Sequence, residues 1–230
     1  MSPGLALAIS VFLTVQPPQT TPPTSTPKTM EVIVDTSDAP EAAVWASGAK
    51  TLVETWQPKV AALLTPADRE VGPPPPKVTL VFKSGMKGVA GTSRGRITIS
   101  ADWIKAHPDD LGMVVHELTH VVQAYPRNQA GWLVEGIADY VRWFVFEPDT
   151  PLGPIDPARA RYQDGYRTTA RFLDWAQRAH APTLVARLNQ ALHDGKYSDA
   201  LFEELTHKPL KDLWAEYLSD PERLQARPRK

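Results

Sequence analysis

The chain has 230 residues, 42% of them hydrophobic and 22% charged, with a formal net charge of −1. A balance so near zero gives no reason to expect a nucleic acid or an anionic membrane surface as partner. Cysteine is absent, which excludes a disulfide framework, a thiolate metal site, thiol catalysis and a lipoprotein anchor.

Leu5 to Val15 is an apolar run of eleven residues. It is too short to span a bilayer but matches a signal peptide's hydrophobic region. Residues 1–15 therefore read as a signal peptide and the chain as secreted or periplasmic, with no stable membrane association. No Lys or Arg precedes the run and no small-x-small cleavage site follows, so a reassigned start is the alternative. Gln16 to Thr29 is almost entirely Pro, Thr, Ser and Gln; such a stretch cannot bury a core and reads as an extended linker. Residues 30–222 remain as one domain, with 223–230 a flexible tail.

Within the domain, Glu31 to Val34 is a short strand ending at Asp35. Ala39 to Leu64 carries a helical pattern through Val44, Trp45, Leu52, Trp56, Val60 and Leu63, with Pro58 kinking it or opening a new segment. Gly72 and Pro73 to Pro76 form a stiff connection. Strands are predicted at Lys77 to Phe82 and Gly95 to Ser100, separated by a glycine-rich loop with a short strand at Val89 and Ala90. A helix over 111–122, started by Pro108-Asp109-Asp110 and stopped near Tyr125-Pro126, is followed by a second from Trp132 to Phe146. Further helices are expected at roughly 157–180, 182–193, 198–205 and 209–219. The fold class is α+β: a small mixed sheet lobe, a helical lobe, and one motif-bearing helix between them.

That motif is His116-Glu117-Leu118-Thr119-His120. Two histidines four apart stack on one helical face, differing by roughly 40° about the axis, so both can reach one metal ion. Glu117, roughly 60° from His120, is placed to touch a metal-bound water rather than to be a ligand. The helix is apolar at 111, 114, 115, 118, 121 and 122, which makes it core-facing rather than a solvated surface helix that holds HExxH by chance. Among residues 132–146 only Glu135, Asp139 and Arg142 are charged, and buried carboxylates need a cation or several donors. His116, His120 and Glu135 are accordingly the candidate ligands of Zn2+, with a fourth position left for water. Glu117 is the candidate general base. Asp139, one turn beyond Glu135, would brace a ligand imidazole, or else pair with Arg142. Gly136 marks either a close approach of two helices or a mere packing position. His107, His193 and His207 lack ligand spacing and read as surface or cap residues, and Trp132 reads as a packing residue.

His116-Glu117-Leu118-Thr119-His120 with Glu135-x-x-x-Asp139 resembles the gluzincin pattern of thermolysin-type peptidases, although the separation from His120 to Glu135 is shorter than usual there. A closer similarity is to the plant basic secretory protein family and its bacterial relatives. It rests on Val34-Asp35-Thr36-Ser37-Asp38-Ala39-Pro40-Glu41, Gly88-Val89-Ala90, Arg96-Ile97-Thr98-Ile99-Ser100, the HELTH run and Gly131-Trp132-Leu133-Val134-Glu135-Gly136-Ile137-Ala138-Asp139-Tyr140-Val141-Arg142. Gly165-Tyr166-Arg167-Thr168-Thr169-Ala170-Arg171-Phe172-Leu173 and Leu213-Trp214-Ala215-Glu216-Tyr217 extend it to about residues 30–220. The resemblance implies a zincin-like metallopeptidase domain, usually secreted and acting on peptide or protein substrates; the net charge of −1 departs from a family named basic. Gluzincins also set a Tyr or His against the oxyanion, for which Tyr166 is the first candidate here, then Tyr162 and His180. In zincins the strand before the metal helix forms the cleft's rim, where substrate adds as a strand; Gly88 to Thr92 and Arg96 to Ser100 both qualify. Two other functions stay open: a zinc-stabilised binding or defence protein with little turnover, against which the retained Glu117 argues, and a zinc hydrolase of another amide or ester.

Overall fold

A computed structural model of the chain describes residues 30–126 and 130–225. The signal peptide over 1–15, the linker over 16–29 and residues 226–230 of the tail lie outside the described residues. Four strands form one sheet in the order β1-β2-β4-β3, namely β1 (Glu31–Asp35), β2 (Lys77–Lys83), β3 (Ala90–Ser93) and β4 (Arg96–Ser100). β1, β2 and β4 run parallel, in registers such as Val34 opposite Leu80 and Leu80 opposite Ile97, while β3 returns antiparallel with Thr92 opposite Ile97. The sheet is mixed, as predicted. Arg94 and Gly95 join β3 to β4 with φ of 50° and 73°, the double left-handed turn that matches hairpin twist and that glycine adopts without strain. Leu80, Phe82, Ile97 and Ile99 are fully buried, the β-branched and aromatic residues expected on a covered sheet face.

Helix α1 (Ala43–Leu64) carries the crossover from β1 to β2. It passes through Pro58 without breaking into two segments; Glu54 and Pro58 are both exposed, so water can serve the carbonyl that proline leaves without a donor. Val44, one of the residues of the apolar pattern, is 88% exposed. A 3-10 turn at Pro40–Ala42 precedes the helix and rotates Val44 away from the stripe made by Ala46, Ala49, Val53 and Val60.

Ser100 caps a helix the sequence pattern did not reveal, α2 (Ala101–Ala106), its hydroxyl accepting from Trp103 N at 3.2 Å. Six residues are too few for apolar periodicity to stand out. Next comes α3 (Gly112–Gln123), preceded by Asp110, whose carboxylate accepts from Met113 N at 3.3 Å and from Trp103 Nε1 at 2.8 Å. The second predicted helix is two pieces: α4 (Gly131–Tyr140) and a π-helical turn over Val141–Phe146.

The helix expected from 157 begins only at Tyr166. Asp156 bonds Ala158 N at 3.0 Å, and Gly165 has φ of 71°; an Asx turn followed by a left-handed residue forbids continuous helix across this segment. From there α5 (Tyr166–Ala179), α6 (Leu184–His193), α7 (Ala200–Thr206), α8 (Leu210–Leu218) and α9 (Pro221–Leu224) complete the helical half. Leu224 is buried, and the carbonyls of Arg223 and Gln225 accept from the Arg171 guanidinium, so the chain holds to the body past residue 222. Among the described residues no helix is long and apolar enough to cross a membrane.

Candidate metal site

One cleft of about 1250 Å³ lies between β3, α3 and the start of α5. His116, Glu117, His120, Glu135, Asp139 and Tyr166 all line it. α3 is almost wholly buried, His116 being 8% and Glu117 6% exposed, so these polar groups are held in a water-poor place by the apolar residues between them. α4 is set against α3, and α5 against α4. At Gly136 a Cβ would stand 2.2 Å from Thr169 Cγ2 of α5, so the glycine is required by that approach.

Three side-chain atoms converge. His116 Nε2 and His120 Nε2 are 3.1 Å apart, and Glu135 Oε2 lies 3.3 Å from the first and 3.4 Å from the second. The far sides of both rings are occupied. His116 Nδ1 lies 2.7 Å from Asp139 Oδ1, and His120 Nδ1 lies 2.7 Å from Gln123 Oε1. The Gln123 amide is oriented by its own Nε2, which donates to Val134 O at 3.0 Å; its oxygen must then accept, and His120 Nδ1 must donate. With Nδ1 donating on both rings, two Nε2 lone pairs and a carboxylate oxygen point at one another. Only a positive charge reconciles three such groups. Their separations of 3.1 to 3.4 Å match the roughly 3.3 Å edge of a tetrahedron with arms of about 2.0 Å, the geometry of a small cation held by nitrogen and oxygen.

The electrostatics lean the same way. Burial alone would drive the His116 imidazolium down, but hydrogen bonds to Asp139 and Glu135, with the charges of Asp139 and Glu117, outweigh it and raise the group to about 9. Burial likewise opposes ionisation of Glu135, and hydrogen bonds from His116 and His120 overcome it, lowering the carboxyl to about 2. The surroundings of the pair therefore favour positive charge, as a bound cation would need.

Around the triad, Glu117 Oε2 accepts from Thr92 Oγ1 of β3 at 2.6 Å. Asp139 is taken by His116, while Arg142 instead pairs with Asp110 and Glu147; the alternative of an Asp139–Arg142 pair is removed. Tyr166 is 56% exposed, with its ring 11° from parallel to that of His116 and 6.2 Å away. Its backbone is left-handed, φ 46°, and strain of this kind gathers at working sites. The charge of Glu135, then burial, raises its phenol. Tyr162 and His180 are not brought here: Tyr162 packs on Trp132 at 5.1 Å, and His180 lies against Trp175 and Glu216. Trp132 packs, as expected, on Tyr162 and Phe202. His107 stacks on Trp103 and His207 closes α7 with φ 59°, while His193 is half-buried against Tyr125 rather than at the surface. Of the two candidate rims, β3 is the sheet edge and lines the cleft, whereas β4 is flanked on both sides.

Gln123 and Thr92 were not anticipated. Gln123 stands at i+3 from His120, a spacing that could have suggested it; nothing local in the sequence marks Thr92.

A family model described as BSP, a peptidase of plants and bacteria, matches residues 31–217. The chain belongs to this family. The resemblance to the basic secretory proteins stands on that match, which takes in the whole of β1 through α8 but for its last residue, and with it all the cleft residues named above. No curated protein and no solved structure matches the chain. The family's description as a peptidase supports peptidase activity.

Proposed function

We propose that this BSP-family chain is a secreted, zinc-dependent peptidase with a zincin-like arrangement of sheet edge and metal helix. The convergence of His116 Nε2, His120 Nε2 and Glu135 Oε2 within 3.4 Å, next to the buried Glu117, carries this reading. Neutral imidazoles and one carboxylate in tetrahedral spacing suit zinc above other common cations. When bound there, zinc would supply an electrophile for the scissile carbonyl and acidify water.

The protein's own groups do the rest. Glu117 takes a proton from the attacking water as its oxygen bonds to the carbonyl carbon. It then delivers that proton to the nitrogen as the C–N bond breaks, so two products leave and the carboxylate is restored. Thr92 holds one Glu117 oxygen, fixing the carboxylate. Asp139 and Gln123 keep both histidines in the tautomer whose Nε2 is a donor of electrons. Tyr166, its phenol kept neutral by nearby negative charge, donates a hydrogen bond to the developing oxyanion. β3 offers its free edge to an extended peptide. Secretion is supported by the apolar run over 5–15 and the Pro/Thr-rich stretch after it.

Glu117→Gln decides the matter. The variant should retain about one zinc per chain by elemental analysis and lose nearly all cleavage of a protein mixture mapped by mass spectrometry. Full cleavage by Glu117→Gln, or a parent protein that takes up no zinc on titration, overturns the proposal.

A further inference from the structure

Every carboxylate lining the cleft is engaged. Glu135 meets both imidazoles, Asp139 His116, Glu117 Thr92, Asp110 Arg142 and Trp103, and Asp164 accepts from Arg161 N. The cations divide. Arg142, its side chain only 15% exposed, is neutralised by Asp110 and Glu147. Arg167 also lines the cleft, is exposed, and forms no ion pair among the described residues. Its guanidinium lies 4.7 Å from the centroid of the Trp143 ring, and that of Arg142 lies 4.0 Å from the same centroid. Trp143 is 5% exposed and sits on the π-helical turn that follows α4. The Arg167 guanidinium thus rests against a buried indole; a guanidinium held on a ring loses little freedom when it binds a carboxylate through two parallel hydrogen bonds.

Position says whose carboxylate that is. Arg167 follows Tyr166, the residue stacked over His116, so it stands within a residue's reach of the place where the peptide bond must lie. Arg94, in the β3–β4 turn, also faces the cleft, but it makes neither an ion pair nor a ring contact among the described residues and nothing fixes its guanidinium. Resting on the peptidase reading above, we propose that Arg167 reads a substrate carboxylate near the scissile bond, supplied by an acidic side chain or by the peptide's own C-terminus.

Zinc-loaded protein is tested as the parent, Arg167→Ala, Arg167→Glu and, as control, Arg94→Ala. The probes are fluorescent peptides of one neutral sequence in which a single Glu, Gln or Lys is walked through successive positions, each with an amidated or a free C-terminus. Binding is read by anisotropy at low and high salt, and kcat/KM by product formation. The parent should favour a carboxylate-bearing peptide over its neutral counterpart on the order of tenfold, the lower end for a charged hydrogen bond at an exposed residue. Arg167→Ala should abolish the preference, Arg167→Glu should turn it toward Lys, Arg94→Ala should keep it, and salt should weaken it. Preference confined to Glu peptides, or to free C-termini, identifies the source. A parent without preference, or a preference kept in Arg167→Ala, overturns the assignment even if every peptide is cleaved. Carboxylate-selective binding through Arg167 with no cleavage leaves this assignment standing and sinks the peptidase reading instead.

Discussion

Replacing Gly136 by alanine puts one methyl group where the structure has no room for it. The new Cβ would stand 2.2 Å from Thr169 Cγ2 and 2.7 Å from Thr169 Cβ. Thr169 is fully buried and cannot swing clear without giving up the 2.6 Å bond from its hydroxyl to Tyr162 O. Relief must come from α4 and α5 moving apart, which carries Glu135 and Tyr166 away from α3. Overpacking of this kind costs about 3 kcal/mol at the upper end of its usual range. Alanine's better helix propensity returns about 1 kcal/mol at a mid-helix position. The expected net loss is thus about 2 kcal/mol, or a fall in Tm of roughly 4–8 °C for a domain of this size. Thermal and urea unfolding of Gly136→Ala, Thr169→Ser and the double variant measure it. Serine keeps the hydroxyl and removes Cγ2, so the pair should show a favourable coupling of at least about 0.5 kcal/mol. Gly136→Ala unfolding within about 0.5 kcal/mol of the parent, or strict additivity, would refute the close-approach argument.

Asp139→Asn and Gln123→Leu should each weaken zinc about 10- to 100-fold in chelator competition, since the first leaves His116 a poorer, uncharged acceptor and the second removes the acceptor that holds His120; affinities unchanged from the parent would remove both from the site. Between pH 6.5 and about 9 the metal-stripped and metal-loaded proteins should respond to pH in opposite senses. His116 is raised to about 9, so its contribution to stability without metal is complete below its ordinary 6.5 and fades as pH climbs towards 9. Glu135, lowered to about 2, contributes above its ordinary 4.5 and loses that contribution as pH falls towards 2. Metal must displace the His116 proton and binds better as pH rises. Chelator should therefore lower Tm more at pH 8.5 than at pH 6, and an equal loss at both would contradict the proton–metal competition.

The candidate ligand group was legible helix by helix, because each pair of positions is local. Periodicity alone places His116 above His120, and Glu135 with Asp139, and the apolar residues around both pairs mark their helices as buried. The strands were legible through alternation, as in Arg96-Ile97-Thr98-Ile99. What escaped depends on groups distant in sequence or on single backbone angles. Thr92 reaches Glu117 across 25 positions, and no pattern along a strand announces such a partner. The π-helical turn after Tyr140 repeats the same apolar composition as the helix before it, so composition cannot separate them. The delay of α5 to Tyr166 turns on Asp156 and Gly165, two residues outweighed by the helical pattern around them. α2 is defined by a serine cap and a tryptophan bond rather than by periodicity.

The sheet's strand order has a practical side. β1, through which the described chain enters at Met30, and β3, which borders the cleft, are opposite edges, three strand spacings or roughly 14 Å apart. Attachments ahead of Met30 therefore join the molecule on its far flank. An affinity handle, a carrier protein or a solid support coupled there leaves a bulky polypeptide free to approach the β3 side. The Arg94–Gly95 turn is the reverse case: an insertion at that hairpin would project from the cleft's own bank, making it the place to install a removable shield and not a tag.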